Sequence, residues 1–269
     1  MRFVNPPQVE GHVHLQQLPQ DEGMPYTPLT KRAMDLSFEV HKDQRDKSGR
    51  PYVYHPFHLA DHMHTEEATC VALLHDTVED GDVTPDDLRD MGFPNSVVDA
   101  ITALTHDPSV PYLDYVLGLR DQPLAREVKL ADLRHNSNLS RLDQVNDRDR
   151  TRRLKYLMAQ ALLDDRADTF DPAHVPPVCC KRMPLDDEGR CSWSFFYTTQ
   201  GDVVSCSLDM EASEEHYCLD ASEIPALWQA LNPQAPSFVT ALGGTVLRHG
   251  AGALLNTLRT CGIAYCVHR

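Results

Sequence analysis

The stretch VALLHDTVED, residues 71–80, runs apolar residues straight into His75-Asp76 and places Glu79-Asp80 just beyond. Its start reads as a buried helix, and a buried carboxylate is expensive unless a partner or a metal compensates it. Helical spacing puts His75 and Glu79 on one face and Asp76, Glu79 and Asp80 on the neighbouring one. Two other stretches offer partners. GRPYVYHPFHLA carries His55 at an extended entry to a helix, and VKLADLRHN carries Asp132 on an otherwise apolar helix flank. His55, His75, Asp76 and Asp132 together make a mixed nitrogen and oxygen donor set. Such a set suits Mn²⁺, Fe²⁺ or Zn²⁺ and leaves positions for water and substrate.

Taken singly, each residue has a plainer explanation. His75-Asp76 would serve as a cap or a surface pair, and Asp132 as the ion-pair partner of Arg134. His58, His62, His64 and His106 stay in that plain class. Within the combined set, Glu79 with Asp80 behind it stands where a general base or water-orienting group is needed. Asn136, one turn after Asp132, is placed to hydrogen-bond substrate or ligand. Lys47 supplies charge for a phosphate, whereas Lys129 reads as an exposed helix lysine.

The elements that must position these residues are mostly helices. Thr27-Pro28 is an N-cap and first-turn pair, followed by Leu29, Ala33, Leu36 and Val40 at helical spacing. Pro56 opens a short helix after His55. Thr65 with Glu66-Glu67 opens the helix that carries His75-Asp76. Thr84-Pro85 starts another, and NSVVDAITALTH, YLDYVLGLRD, PLAREVKLADLRHNSNL and RDRTRRLKYLMAQALLDD continue the series. Leu124, Val128, Ala131 and His135 share a stripe. Residues 171–189 are Pro-rich and non-periodic, which reads as a linker. Beyond them Trp193, Phe195 and Tyr197 alternate. A Gln200-Gly201-Asp202 turn follows, then Val204, Cys206 and Leu208 alternate, a hairpin pattern. Helices over Ile224 to Leu231 and GALLNTLRTCG, and a last strand IAYCVHR, complete a small unit. The expected organisation is a loose extension over 1–26, a helical domain over 27–168, a linker over 169–189 and an α+β domain over 190–269. The fold class is mainly α.

Composition narrows the function. The chain has 269 residues, 41% of them hydrophobic, so a real core is expected. The formal charge of −15 makes it a poor partner for DNA or RNA polymers, while a bound cation or a local Lys/Arg cluster would still admit a small anion. No secretory signal or membrane-length apolar run is visible, so a cytoplasmic location without membrane contact is expected. The eight cysteines include no C-x-x-C pair, and packed thiols are the expected state.

The blocks HKDQRDKSGRPYVYHPFHLA, VALLHDTVED, FPNSVVDAITALTH and VKLADLRHNSNLSRL, in that order, resemble the RelA/SpoT-type hydrolase branch of the HD metal-dependent phosphohydrolases. The likeness spans about residues 30–160 and is closest to the compact alarmone hydrolases. It implies an all-α HD fold and one Mn²⁺ held by His55, His75, Asp76 and Asp132. It also implies water activation by Glu79 and Asp80, and a substrate pocket lined by Arg45, Lys47, Ser48 and Asn136. The implied reaction is removal of the 3′ pyrophosphate from (p)ppGpp, a small anionic nucleotide. No stretch resembles the family's nucleotide-synthesising domain, so no synthetase activity is expected. The chain departs from the family pattern at Asp46, where an arginine that packs on guanine is usual, and at Leu139, where a threonine is usual. Arg45 is the nearby substitute. These departures keep two alternatives open: an HD hydrolase of another nucleotide (an adenosine alarmone or NADPH), and a nucleotide or metal sensor without turnover. The Cys-rich C-terminal unit reads as a regulatory or homo-oligomerising module.

Overall fold

The computed structural model describes residues 23–164, 169–171, 178–198, 203–210 and 215–268. Its first part is a helical stack. Helix α1 (Pro28–His41) opens on a capping box, in which Thr27 Oγ1 accepts from the Thr30 amide at 3.1 Å and Thr30 Oγ1 accepts from the Thr27 amide at 2.8 Å. Helices α2 (Tyr54–Ala60) and α3 (Glu66–Leu74) follow. Every residue of α3 from Ala68 to Leu74 is buried, the signature of a helix enclosed on all sides. It lies against α1, α2, α6 (Asn95–Leu104) and α8 (Pro123–Ser137). The short helices α4 (Thr77–Asp80), α5 (Pro85–Asp90) and α7 (Tyr112–Gly118), and the long α9 (Asp147–Leu163), complete the stack.

The second part is a six-stranded antiparallel meander, β1 (Thr169–Asp171), β2 (Val178–Pro184), β3 (Cys191–Thr198), β4 (Val203–Met210), β5 (Glu215–Asp220) and β6 (Cys266–His268), in sequence order. Three helices, α10 (Ile224–Leu231), α11 (Phe238–His249) and α12 (Gly252–Thr260), intervene between β5 and β6. Met183, Trp193, Phe195, Cys206, Leu208, Tyr217 and Leu219 form its buried apolar face, and Phe238 of α11 meets Trp193 and Phe195 at ring distances of 5.8 and 6.2 Å. Strand β2 packs on α9, and α11 packs on α7 and α9. At that junction a Cβ on Gly243 would meet Leu113 Cδ1 at 2.4 Å, so only glycine permits the approach. Ser237 Oγ donates to Asp114 Oδ1 at 2.6 Å, and Thr240 Oγ1 donates to the other carboxylate oxygen. One buried apolar cluster runs from Met24 to Ile263 through both parts.

Several expectations need correction. The stretch read as a linker supplies β1 and β2, because pairing with β3 organises residues that carry no alternation of their own. The helix before His75-Asp76 stops at Leu74, and α4 restarts at Thr77, so the pair lies at a junction and not inside a continuous helix. His55 sits in the first turn of α2, before Pro56, and not on an extended entry. The buried face of α8 runs through Ala125, Val128, Asp132 and Leu133, displaced from the predicted stripe. Helix α11 escaped the reading because Gly243-Gly244 interrupts its pattern, and β5 because its alternation is short. Residues 1–22 of the expected extension, and the Gln200-Gly201-Asp202 turn, lie outside the described residues.

Candidate metal centre

Three elements bring the donors together. Helix α2 carries His55, whose amide donates to the Tyr52 carbonyl at 2.8 Å. The α3–α4 junction carries His75 and Asp76, and α8 carries Asp132. Donor atoms of His55, His75 and Asp76 all lie within 4.8 Å of one another. Asp132 is adjacent, with Oδ1 3.2 Å from His55 Nε2. His55, His75 and Asp132 are buried.

The orientation of each donor is fixed from behind. His75 Nδ1 lies 2.9 Å from the Ala72 carbonyl, so that nitrogen carries the proton and Nε2 is the bare donor. His75 Nε2 is 2.9 Å from Asp76 Oδ2, yet it makes no aligned hydrogen bond. A buried imidazole nitrogen converging with a carboxylate oxygen is the arrangement of two ligands facing one cation. The residues therefore fit a divalent metal ion. Tyr52 donates its hydroxyl to Asp76 Oδ2. Lys129 Nζ lies 2.9 Å from Asp132 Oδ2, and Asn136 Nδ2 donates to Asp132 Oδ1. His55 Nδ1 and His135 Nδ1 are 2.7 Å apart and their rings stack at 4.8 Å.

Without a cation, the charges adjust among themselves. Burial opposes a charge on His75, but the carboxylates of Asp76 and Asp132 outweigh it and push the imidazole up to about 9. Burial likewise opposes ionisation of Asp76, yet His75 and the Tyr52 hydroxyl hold its carboxyl at about 2. Lys129 and His55 hold Asp132 well below the carboxylate range despite its burial. Burial, with His55 and Arg141 beside it, pushes His135 down to about 3.

The remaining predicted residues fall in two groups. Glu79 and Asp80 lie on α4 with exposed side chains. Glu79 Oε2 accepts from the His106 amide at 3.5 Å, and burial and the Asp76 charge raise the Asp80 carboxyl. Arg45, Lys47, Ser48 and Asn136 all line one cleft of about 310 Å³ that reaches His55. Arg141, Arg152 and Tyr156 line it too. Burial, then Arg152, lower the Lys47 amine from its usual value. Arg45 donates to the Gly49 carbonyl at 3.1 Å. Asp46 accepts from the Ser48 and Arg50 amides at 2.8 and 2.9 Å and faces the Arg141 guanidinium at 3.5 Å. Leu142, not Leu139, lines this cleft.

Sequence reasoning misses Tyr52, His135, Arg141, Arg152 and Tyr156 and misplaces Lys129. Tyr52 and His135 each stand three positions from a predicted ligand, which was the available signal. Arg141 had none. Lys129 was read as exposed, but its side chain is 13% exposed and paired with Asp132.

No family model matches the chain. Among curated proteins, the Mus musculus protein named guanosine-3′,5′-bis(diphosphate) 3′-pyrophosphohydrolase MESH1 is 36% identical over 118 residues, which are 39% of this chain and 65% of that protein. Over that stretch the chain is similar to proteins of that name from Mus musculus and Homo sapiens. The Aquifex aeolicus guanosine-3′,5′-bis(diphosphate) 3′-pyrophosphohydrolase is 29% identical over 38% of this chain and 16% of its own length. A Myxococcus xanthus protein named GTP pyrophosphokinase is 30% identical over 52% of this chain and 20% of its own length. The chain thus covers less than two thirds of each of these relatives. A solved structure of a metazoan ortholog of SpoT aligns at 22% identity with a TM-score of 0.43, over 52% of this chain and 85% of that one.

Proposed function

We propose that the HD-type domain is a metal-dependent phosphohydrolase that removes pyrophosphate from the 3′ position of a (p)ppGpp-like nucleotide. The observation that carries this reading is the convergence of His55, His75 and Asp76 on one point beside a cationic cleft. The names of the relatives supply the substrate class. The reaction assigned is hydrolysis alone, without pyrophosphokinase activity.

His55, His75, Asp76 and Asp132 would hold the ion, with Mn²⁺ the first choice for this nitrogen and oxygen set. When bound, a divalent ion neutralises phosphoryl oxygens and lowers the pKa of a neighbouring water. The protein's own residues do the rest. Lys47, Arg141 and Arg152 bind the diphosphate charges. Glu79, with Asp80 behind it, takes the proton of the attacking water. A water hydroxyl joins phosphorus, the bond from phosphorus to the 3′ oxygen breaks, and that oxygen leaves with a proton. Arg141, planar and held by Asp46, replaces the arginine that Asp46 displaces. Arg45 is engaged with the Gly49 carbonyl.

The test is phosphate or pyrophosphate release from ppGpp, pppGpp, their adenosine analogues and NADPH with added Mn²⁺, comparing wild type with Asp76→Ala. Release from ppGpp that is lost in Asp76→Ala supports the assignment. Release from another member alone would move the substrate, the reading that Asp46 favours. Binding without turnover on any member would leave a sensor. Glu79→Gln should abolish turnover while metal content survives, and unchanged turnover would remove Glu79 from the mechanism.

A further inference from the structure

The polar face of the sheet carries a second constellation, remote in sequence from the helical site. Strand β5 reads His216-Tyr217-Cys218 and β6 reads Cys266-Val267-His268. The antiparallel register sets Cys218 opposite Cys266 and His216 opposite His268. Residues two apart on a strand share a face, so the cysteine pair and His216 occupy adjacent rows of one face. Directly opposed Cβ atoms lie about 4.5–5.5 Å apart, and adjacent rows about 6.8 Å. A tetrahedral zinc ion with bonds of about 2.0–2.3 Å draws its donors to roughly 3.5 Å separation, within reach of three side chains in such rows.

The side chains point the same way. Cys218 and Cys266 are thiols and not a disulfide, and Cys266 Sγ lies 3.6 Å from the Cys218 carbonyl. Burial, then the neighbouring Cys266 sulfur, push the Cys218 thiol up. Two sulfurs side by side keep their protons until a cation takes their place. His216 Nδ1 lies 2.8 Å from Asp209 Oδ1. A proton held there leaves Nε2 as a bare donor, the arrangement that orients metal-binding histidines. Asp209 is itself fixed by the Ser192 and Ser207 hydroxyls at 3.2 and 3.3 Å.

We infer that His216, Cys218 and Cys266 form a three-residue site for a thiophilic divalent ion such as Zn²⁺, with water completing its tetrahedron. Asp209 is its outer partner, and the ion clamps β6 to β5. Among the described residues the donors of this site have not gathered to one point as those of the helical site have. Binding turns His216, whose side chain is 58% exposed, and the exposed Cys266 inward.

The test is Co²⁺ titration of the reduced full-length chain, read by sulfur-to-cobalt absorption in the near ultraviolet. The helical site has no sulfur donor, so this band reports the sheet alone, and its failure leaves the hydrolase proposal standing. The expected result is a band that Zn²⁺ displaces and that Cys218→Ser/Cys266→Ser loses. Asp209→Ala should weaken Zn²⁺ binding about 10- to 100-fold. In the unmutated chain, Zn²⁺ should slow alkylation of Cys218 and Cys266, read by mass spectrometry, and leave the exposed Cys261 unchanged. No band, a band that survives in the double variant, or equal alkylation with and without Zn²⁺ overturns the site. So does a Cys218–Cys266 disulfide in protein purified under reductant.

Discussion

Lys129→Met separates the charge that Asp132 needs from the packing around it. The Lys129 amine is 2.9 Å from Asp132 Oδ2, and the two side chains are 13% and 9% exposed. At that distance, with an effective dielectric of about 20, the attraction is roughly 6 kcal/mol before desolvation is subtracted. Removing one partner of a buried pair costs about 3–5 kcal/mol, because the other charge stays buried and unbalanced. At about 2–4 °C per kcal/mol, metal-stripped Lys129→Met should melt roughly 10 °C below the stripped wild type. Methionine keeps the apolar stem, so the loss reports charge. A divalent ion at the site would replace that charge, so saturating Mn²⁺ should erase most of the difference. Closing the cycle, a coupling of about 3 kcal/mol makes the variant bind the ion roughly 100-fold more tightly. Thermal unfolding by circular dichroism, with chelator and with Mn²⁺, measures all four corners. An equal drop in both conditions would refute the reasoning. It would mean that Lys129 acts through its position 5.6 Å over the Tyr115 ring and not through Asp132.

Other consequences follow from the same geometry. Tyr52→Phe removes the hydroxyl that orients Asp76 and should weaken Mn²⁺ binding about 10- to 100-fold by calorimetry; unchanged affinity would make Tyr52 a packing residue. Gly243→Ala should destabilise by about 1–3 kcal/mol, since its Cβ would strike Leu113. Gly244→Ala, whose Cβ would meet only the Arg248 side chain at 3.6 Å, should stabilise by up to about 1 kcal/mol in denaturant titration. In metal-stripped protein, His75 titrates near 9, above its ordinary 6.5. A raised histidine contributes stability that is complete below pH 6.5 and lost as pH rises through 9, so the stripped protein should become less stable over that window. Ion binding needs the neutral imidazole, so the Mn²⁺-loaded protein should not lose stability there. Parallel melting curves would sink this account of His75.

Local signals read correctly wherever the physics is local. The Thr27, Thr65 and Thr84 caps, the acidic first turns and the β3–β4 alternation depend on neighbours a few residues away, and each appears where its residues predict it. The block order of His55, His75-Asp76 and Asp132 was legible for the same reason, since each donor sits inside a short, distinctive segment. What the chain did not disclose depends on partners far along it. Strand β2 exists because β3 pairs with it, and α11 tolerates Gly243 because Leu113 occupies the space of its missing side chain. The break between α3 and α4 turns His75 and Asp76 toward His55, where an unbroken helix would have spread the two residues around its axis. Tertiary packing alone made Lys129 an internal counter-charge and brought Arg141 into the cleft that Arg45 also lines. Side-chain charge and helix periodicity are properties of the sequence. Which buried carboxylate a lysine meets, and which arginine faces the cleft, are set by distances that only the folded chain creates.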